Sequence, residues 1–296
     1  MEIIRDKTGA RPFPVPVVAL GAGSQSEEVE LDYLVMPQGM QTYAMPILPE
    51  PGHLAGLTAA HRALRAIEAA VTAAAGGAAP APVDLLALDQ ANLALINQVL
   101  GEGEVSARAE PGDGSSIRIQ EAIFAGIWRT VTSVDGRVTA DQVDIGPVPP
   151  VLISAARAGA VGGEALALPD PPPAGIMNAP PLLAELNQYL AAWRPGEAAR
   201  AINLSLLPLS PGDVALLERQ LMGGCVLILS RGYGNCRILS TLVPNCWRVV
   251  YYNSSDTILL NTVEVTDIPE VACAAREDLL DSCERLREVL DWVEGA

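Results

Sequence analysis

The sequence lacks the signals that direct a chain into or across a membrane. No run of about 18 uncharged apolar residues occurs in it, so we predict no transmembrane helix and no membrane insertion. The N-terminal residues MEIIRDKTGARPFPVP contain no apolar core of the kind found in secretory signals. We therefore expect a cytoplasmic protein.

Basic residues are scarce. The 296 residues include 19 basic and 35 acidic ones, and the formal net charge is −16. This balance disfavours binding to nucleic acids or anionic membranes, which requires basic patches. It suits a partner with a basic face, although an acidic surface also serves solubility. Half of the residues are apolar, which allows a sizeable core.

Cysteine is absent before residue 225, and the five cysteines beyond it lie ten or more residues apart. Without a C-x-x-C pair we predict no metal or iron–sulfur site, no cofactor and reduced thiols. Cys236 lies beside a Gly-rich turn, where we expect it to be exposed. The alternative is a small redox or iron–sulfur carrier protein that uses Cys236 and Cys246.

Catalytic motifs are also missing. The sequence contains no H-x-x-x-H and no G-x-S-x-G, and GYGNC lacks the lysine and the strand–loop–helix context of a phosphate-binding loop. No pattern brings carboxylates together in a pocket for acid–base catalysis. We therefore predict no catalytic residues and a protein that is not an enzyme, with a hydrolase of unknown type as a further alternative.

The stretch from Cys225 to Asp278 contains runs rich in Val, Ile, Leu, Thr and Tyr, separated by Gly, Asn, Pro and Ser. The short gaps predict antiparallel neighbours. The predicted strands are Val226–Ser230, Arg237–Leu242, Cys246–Tyr252 and Thr257–Val265. Asp267, Pro269 and Glu270 then predict the start of a closing helix that reaches about Val293. Its predicted buried stripe is Val271, Ala275, Leu279, Leu286 and Leu290.

A weaker copy of this unit lies upstream, since Leu86–Arg157 repeats the pattern of Leu207–Arg276. Arg118 aligns with Arg237, and Trp128 aligns with Trp247. The predicted fold is α+β, with two related repeats, each an antiparallel sheet of three or four strands packed with helices. The predicted units are an extended Pro-rich N-terminal arm (1–55), a first repeat (56–160), a Gly/Pro linker (161–181) and a second repeat (182–296).

Several polar residues interrupt the strand block of the second repeat. They are explained as turn formers and edge markers. They also predict a surface that binds an extended peptide by strand addition, together with the N-terminal arm. The residues that we predict to contact a partner are Arg231, Tyr233, Asn235, Cys236 and Asn253.

The segments GYGNCRI, NCWRVVYYNSSDTILLNT and VEVTDIPEVACAAREDLLDS resemble the C-terminal domain of hydrogenase expression/formation proteins of the HupH/HyaF (HoxQ) type. GAGSQ, MPILPEPG, LGEGEV and IQEAIFAGIWR extend the resemblance over most of the chain. It implies a non-enzymatic accessory chaperone in the maturation of a membrane-bound [NiFe] hydrogenase. Such a protein binds the small-subunit precursor beside a thioredoxin-like accessory protein, before iron–sulfur cluster completion and twin-arginine export. The resemblance transfers no catalytic residue.

Overall fold

The computed structural model describes residues 56–161, 166, 171, 173, 175–232 and 234–295. The predicted N-terminal arm (1–55), Tyr233 and part of the Gly/Pro linker lie outside these residues. The described chain is α+β, with one antiparallel sheet and helices on both of its faces, and the predicted fold class is confirmed.

The first copy runs from a helix through a short strand and a second helix to four strands and a third helix. Helix α2 begins after Asp89, whose carboxylate caps it by accepting a hydrogen bond from the Asn92 N–H at 2.9 Å. The elements are α1 Thr58–Ala75, β1 Val83–Asp84, α2 Gln90–Leu100, β2 Val105–Ala109, β3 Ser115–Glu121, β4 Ile127–Val134, β5 Arg137–Ile145 and α3 Pro150–Ala158.

The second copy repeats this order with one change near its end. The predicted helix start at Asp267 is wrong, because Glu270–Ala272 forms only a short 3-10 turn and the helix begins at Arg276. The elements are α4 Ala179–Ala192, β6 Arg200–Asn203, a 3-10 turn Leu204–Leu206, α5 Pro211–Leu221, β7 Gly223–Ser230, β8 Asn235–Thr241, β9 Cys246–Tyr252, β10 Ile258–Val265 and α6 Arg276–Gly295.

The two copies share a single sheet of ten strands, in the order β1-β5-β4-β3-β2-β7-β8-β9-β10-β6. Strands β2 and β7 join the copies as an antiparallel pair, with Ala107 opposite Ile228 at its centre. The order reads the same from either edge when each strand is replaced by its counterpart. The joint is therefore an internal pseudo-twofold axis, and neither copy has a free edge there.

Helices cover the sheet differently on its two faces. Neighbouring residues of a strand point to opposite faces. Trp128 and Trp247 pack with α3 and the second 3-10 turn in a central core that spans both copies. On the other face, Val143 packs with α1, α2 and α6. Val263, its counterpart in the second copy, packs there with α4 and α5. This face therefore carries a helix cluster near each edge.

Helix α6 follows the second copy in sequence but packs on the first. Leu286 and Leu290 are buried in the core cluster of α1 and α2. Arg65 of α1 forms an ion pair with Asp291 of α6 at 3.1 Å. In the predicted stripe, Leu279, Leu286 and Leu290 are buried, whereas Ala275 is exposed and Val271 lies in the 3-10 turn. The sequence unit 182–296 thus includes a helix that completes the first copy.

A buried carboxylate ties the beginnings of α4 and α5 together. Asp213 is fully buried and forms a capping box with Ser210. Its Oδ1 atom accepts hydrogen bonds from the backbone N–H groups of Met177, Asn178 and Ala179 at 2.8–3.0 Å. Burial alone would raise the pKa of Asp213, but these N–H donors and Ser210 outweigh it and lower the pKa to about 2.

Candidate functional site

Three of the predicted contact residues lie at one end of the sheet. The β7–β8 and β9–β10 turns meet there, because Asn235 lies opposite Tyr252. Arg231, Asn235 and Asn253 are all half-buried. The Asn253 side chain accepts hydrogen bonds from the N–H groups of Ser255 at 2.8 Å and Thr257 at 2.9 Å. Asn253 therefore shapes its own turn.

The expected exposure of Cys236 is wrong. Its side chain is 1% exposed and lies in the central core, between Ser230 and Tyr251 on the neighbouring strands. Burial raises the pKa of the Cys236 thiol to about 12, and a hydrogen bond with Tyr251 offsets this only in part. A protonated, enclosed thiol is a poor nucleophile and a poor metal ligand.

Cys246 is buried too, but on the opposite face, within the helix cluster of the second copy. Burial raises the pKa of its thiol to about 12. The sheet therefore separates the two thiols of the proposed redox or cluster carrier, which gives that alternative no support. In the part of the chain that the structure describes, no three His, Cys, Asp or Glu side chains are grouped to hold a metal ion.

A groove of about 570 Å³ lies over the first copy, on the face that carries α1 and α2. Sequence reasoning did not find it. Its lining includes Arg108, Arg118 and Arg129, and no acidic residue is among the described residues that line it. The polar side chains alternate with buried apolar ones along β2 and β3, and this alternation was the available signal.

Two of the three arginines already have acidic partners. Arg108 Nη2 lies 2.6 Å from Glu110 Oε1. Arg129 binds Asp141 through two bonds, with Nη2–Oδ2 at 2.7 Å and Nε–Oδ1 at 3.0 Å. Arg118 is exposed and has no hydrogen-bonding or ion-pair partner within the described residues. Arg118 is therefore the cation available to a ligand.

The second copy differs at the matching positions. Leu227, Leu229 and Leu239 occupy the places of Ser106, Arg108 and Gln120 in the pseudo-twofold relation. Leu227 and Leu229 lie directly opposite Arg108 and Ser106 across the β2–β7 joint, on the same face. The joint thus separates an arginine-rich half from a leucine-rich half.

Arg237 and Arg248, which lie on this face in the second copy, contact side chains of that copy. The guanidinium of Arg237, the counterpart of Arg118, lies over the Tyr252 ring at 4.9 Å from its centroid. Arg248, the counterpart of Arg129, donates to Asn261 Oδ1 at 3.3 Å. Both guanidinium groups of the second copy are therefore engaged by side chains of that copy, whereas Arg118 in the first copy is not.

Glu121 is a buried carboxylate at the end of β3, 6% exposed, and Ser240 replaces it in the second copy. Its Oε1 atom accepts the Gly126 N–H at 3.2 Å. Burial raises the pKa of Glu121 to about 7; the Gly126 hydrogen bond opposes this, and the nearby Glu104 charge adds to it. Glu121 therefore titrates near neutral pH.

None of the described helices combines the length and apolarity that crossing a bilayer requires.

Comparison with known proteins identifies the repeated unit. The family described as HupH hydrogenase expression protein, C-terminal conserved region, matches residues 57–163 and again residues 176–293. These two matches coincide with the two structural copies.

Similar proteins cover nearly the whole chain. Hydrogenase expression/formation protein HoxQ of Cupriavidus necator is 54% identical over 95% of this chain and 98% of its own. Hydrogenase expression/formation protein HupH of Rhodobacter capsulatus is 45% identical over 95% of this chain and 98% of its own. Hydrogenase-1 operon protein HyaF of Escherichia coli is 38% identical over 72% of this chain and 74% of its own. The chain therefore belongs to the HupH hydrogenase expression protein family.

Proposed function

We propose that this protein is an accessory chaperone for the maturation of a membrane-bound [NiFe] hydrogenase. It binds the small-subunit precursor in the cytoplasm, beside a thioredoxin-like accessory protein, before cluster completion and twin-arginine export. The observation that carries the proposal is the similarity, over 95% of the chain, to proteins named for hydrogenase expression and formation. The protein acts by binding a polypeptide and catalyses no reaction.

The proposed contact surface is the sheet end that carries Arg231, Tyr233, Asn235 and Asn253, together with the N-terminal arm. Gly232 and Gly234 are exposed there, so main-chain groups of the turn are accessible to an extended peptide. The side-chain oxygen of Asn253 already accepts hydrogen bonds within its own turn. Arg231 and Asn235 therefore form the polar contacts with the partner. The buried Cys236 takes no part through its thiol.

A binding experiment with the full chain tests this function. The immobilised protein should retain the small-subunit precursor and should not retain the hydrogenase large subunit. Precursors with and without the twin-arginine segment show whether that segment is part of the epitope. Failure to retain either form of the small-subunit precursor would refute the proposed function.

A matched pair of variants tests the surface. Arg231→Glu should lower precursor retention about tenfold, because it reverses the charge at the proposed interface. Arg137→Glu is the control, since Arg137 is exposed and follows the β4–β5 turn of the first copy, at the opposite end of the sheet. Equal losses in both variants would show that general charge, rather than this sheet end, governs binding.

A further inference from the structure

The beginning of α6 is packed tightly against the first copy. Gly126, in the β3–β4 turn, has a φ of +80°, and a Cβ atom at this position would lie only 2.7 Å from Leu279 Cδ1 and 3.7 Å from Ala274 Cβ. The Ala274 N–H also donates a hydrogen bond to Pro147 O at 2.8 Å. The segment Ala274–Leu279 therefore contacts both the β3–β4 turn and the chain that follows β5.

Glu121 lies at this contact. It is the last residue of β3, it is 6% exposed, and its Oε1 atom accepts the N–H of the same Gly126. Within the part of the chain that the structure describes, Glu121 has no ion-pair partner. The charges that face it are acidic, since Glu104 from the loop before β2 and Asp278 from the first turn of α6 both oppose its ionisation. An ionised Glu121 therefore meets two like charges and no cation.

The other charged residues of the surrounding elements do not neutralise Glu121. They are Glu102, Asp144, Arg276, Glu277 and Arg285. Asp144 adds a carboxylate on the same face of the sheet, with Trp128 between it and Glu121. Arg285 is paired with an aspartate of its own helix at 3.3 Å, and the remaining three side chains are exposed. The β3–β4 turn itself contains no titratable side chain.

The second copy builds the equivalent contact without a carboxylate. Ser240 takes the place of Glu121, and its hydroxyl accepts a backbone N–H at 3.0 Å. There α3 packs against the β8–β9 turn, where Arg157 Nε donates to Asn245 Oδ1 at 3.2 Å. Asn245 is the counterpart of Gly126. The fold therefore does not need an ionisable group at this position, and Glu121 gives the first copy a property that the second copy lacks.

We propose that the contact between Ala274–Leu279 and the first copy is a proton-dependent latch. It stays closed while Glu121 carries a proton, and it opens more readily when Glu121 ionises. A buried carboxylate without a cation is costly to ionise, and opening lets water reach it. Burial and the facing Glu104 charge raise the pKa of Glu121 to about 7, so the latch responds to pH near neutrality.

The size of the response follows from the two states of Glu121. Its pKa is about 7 in the closed state and has the ordinary value of 4.5 when water reaches the side chain. The protonated carboxyl favours the closed state fully below pH 4.5, and this preference is lost as the pH rises through about 7. The equilibrium constant for opening should therefore increase about tenfold between pH 6 and pH 8, and it should change little above pH 8.

Hydrogen exchange in the full chain measures this opening. Peptides that cover residues 273–280 contain the Ala274 N–H, and peptides that cover residues 150–160 of α3 report the equivalent contact at Ser240. After correction for the intrinsic exchange rates, the opening constant of the first set should rise about tenfold from pH 6 to pH 8. The constant of the second set should stay within about twofold. No rise at residues 273–280, or an equal rise in both sets, would overturn the proposal.

Substitutions assign the response to Glu121. Glu121→Gln keeps the size of the side chain and an acceptor for the Gly126 N–H, and it should remove the pH dependence. Glu121→Ser, which copies the second copy, should also remove it. Glu102→Gln is the matched control, because Glu102 is an exposed carboxylate of the loop before β2, and it should keep the tenfold rise. Circular dichroism checks that each variant keeps its fold. A rise that persists in both Glu121 variants, or that disappears in Glu102→Gln, would refute the latch.

Discussion

The Asp213 carboxylate offers a sharp test of how the second copy is held together. Asp213→Asn removes the charge while leaving the side-chain volume nearly unchanged. The lost acceptor serves four backbone N–H groups and a hydroxyl, those of Met177, Asn178, Ala179 and Ser210. The amide of asparagine presents one oxygen to these donors, and its NH₂ group meets the rest.

The magnitude follows from the pKa of Asp213. The ordinary value is 3.8, and the hydrogen bonds lower it to about 2 in the folded protein. A difference of about 1.8 units corresponds to roughly 2.4 kcal/mol of stability at neutral pH. Buried N–H groups left without an acceptor add to this, so we expect Asp213→Asn to cost about 2–4 kcal/mol.

The pH dependence provides an independent check. Because the folded pKa is lowered, the stabilisation is present above pH 3.8 and is lost as the pH falls through about 2. Of the roughly 2.4 kcal/mol at pH 7, about 1.3 kcal/mol remains at pH 3. The stability difference between the wild type and Asp213→Asn should therefore shrink by about 1 kcal/mol between these two pH values.

Urea denaturation measures both quantities, provided that the slope of the transition is unchanged. The control is Asp84→Asn, since Asp84 is exposed and accepts a single N–H, that of Leu86 at 2.9 Å. We expect that control to cost less than about 0.5 kcal/mol. A loss below about 1 kcal/mol for Asp213→Asn would refute the assignment of these hydrogen bonds as a stabilising network.

Three further changes have defined outcomes. Because the pKa of Glu121 is raised to about 7, its stabilising contribution is present below pH 4.5 and lost as the pH rises through about 7. Glu121→Gln should therefore gain about 2.5 kcal/mol over the wild type between pH 5 and pH 8 in urea denaturation, and parallel pH profiles would contradict this. Iodoacetamide at pH 8 should alkylate Cys236 and Cys246 only after denaturation, because both thiols are 1% exposed and have raised pKa values. Mass spectrometry measures the alkylation, and rapid labelling of the native protein would contradict the burial of these thiols. Leu286→Ala should cost about 2–5 kcal/mol and make the first copy more susceptible to proteolysis than the second, whereas Leu280→Ala, at an exposed position of the same helix, should cost little.

Local features of the fold could be predicted because their signals are local. The strand Cys246–Tyr252 has the predicted bounds, since alternation and turn residues mark both of its ends. The repeat was visible for the same reason, and the family match in two ranges agrees with it. The helix caps Asp89 and Ser210 act within three residues of sequence, so their signal is of the same local kind.

Long-range features carried no comparable signal. The β2–β7 joint forms because one edge strand of each copy pairs with the other. The alternation of residues within a strand does not specify which strand lies beside it. The apolar stripe of α6 predicts burial but not the copy on which the helix packs. The start signal at Asp267 did not produce a helix because the chain crosses to the first copy after it. In this crossing segment the Ala274 N–H donates a hydrogen bond to Pro147 O at 2.8 Å.

The candidate site was harder to predict for a related reason. Cys236 follows a Gly-rich turn, but its register with Ser230 and Tyr251 puts it on the α3 face, inside the core. A sequence alone does not tell which of the two strand faces is covered when helices lie on both. The proximity of Arg108 and Arg118 likewise gave no signal within either strand, because it arises from the β2–β3 register.

The position of α6 sets the order in which the protein can be completed during synthesis. Arg65 and Asp291, which bridge α1 and α6, are 226 residues apart in the chain. At translation rates of about 5–20 residues per second, α1 leaves the ribosome roughly 10–40 s before the helix that shields it. For that interval the side of α1 that packs against α6 is uncovered, which favours binding of the nascent protein by general chaperones. A truncated chain that ends before α6 would keep this apolar surface exposed.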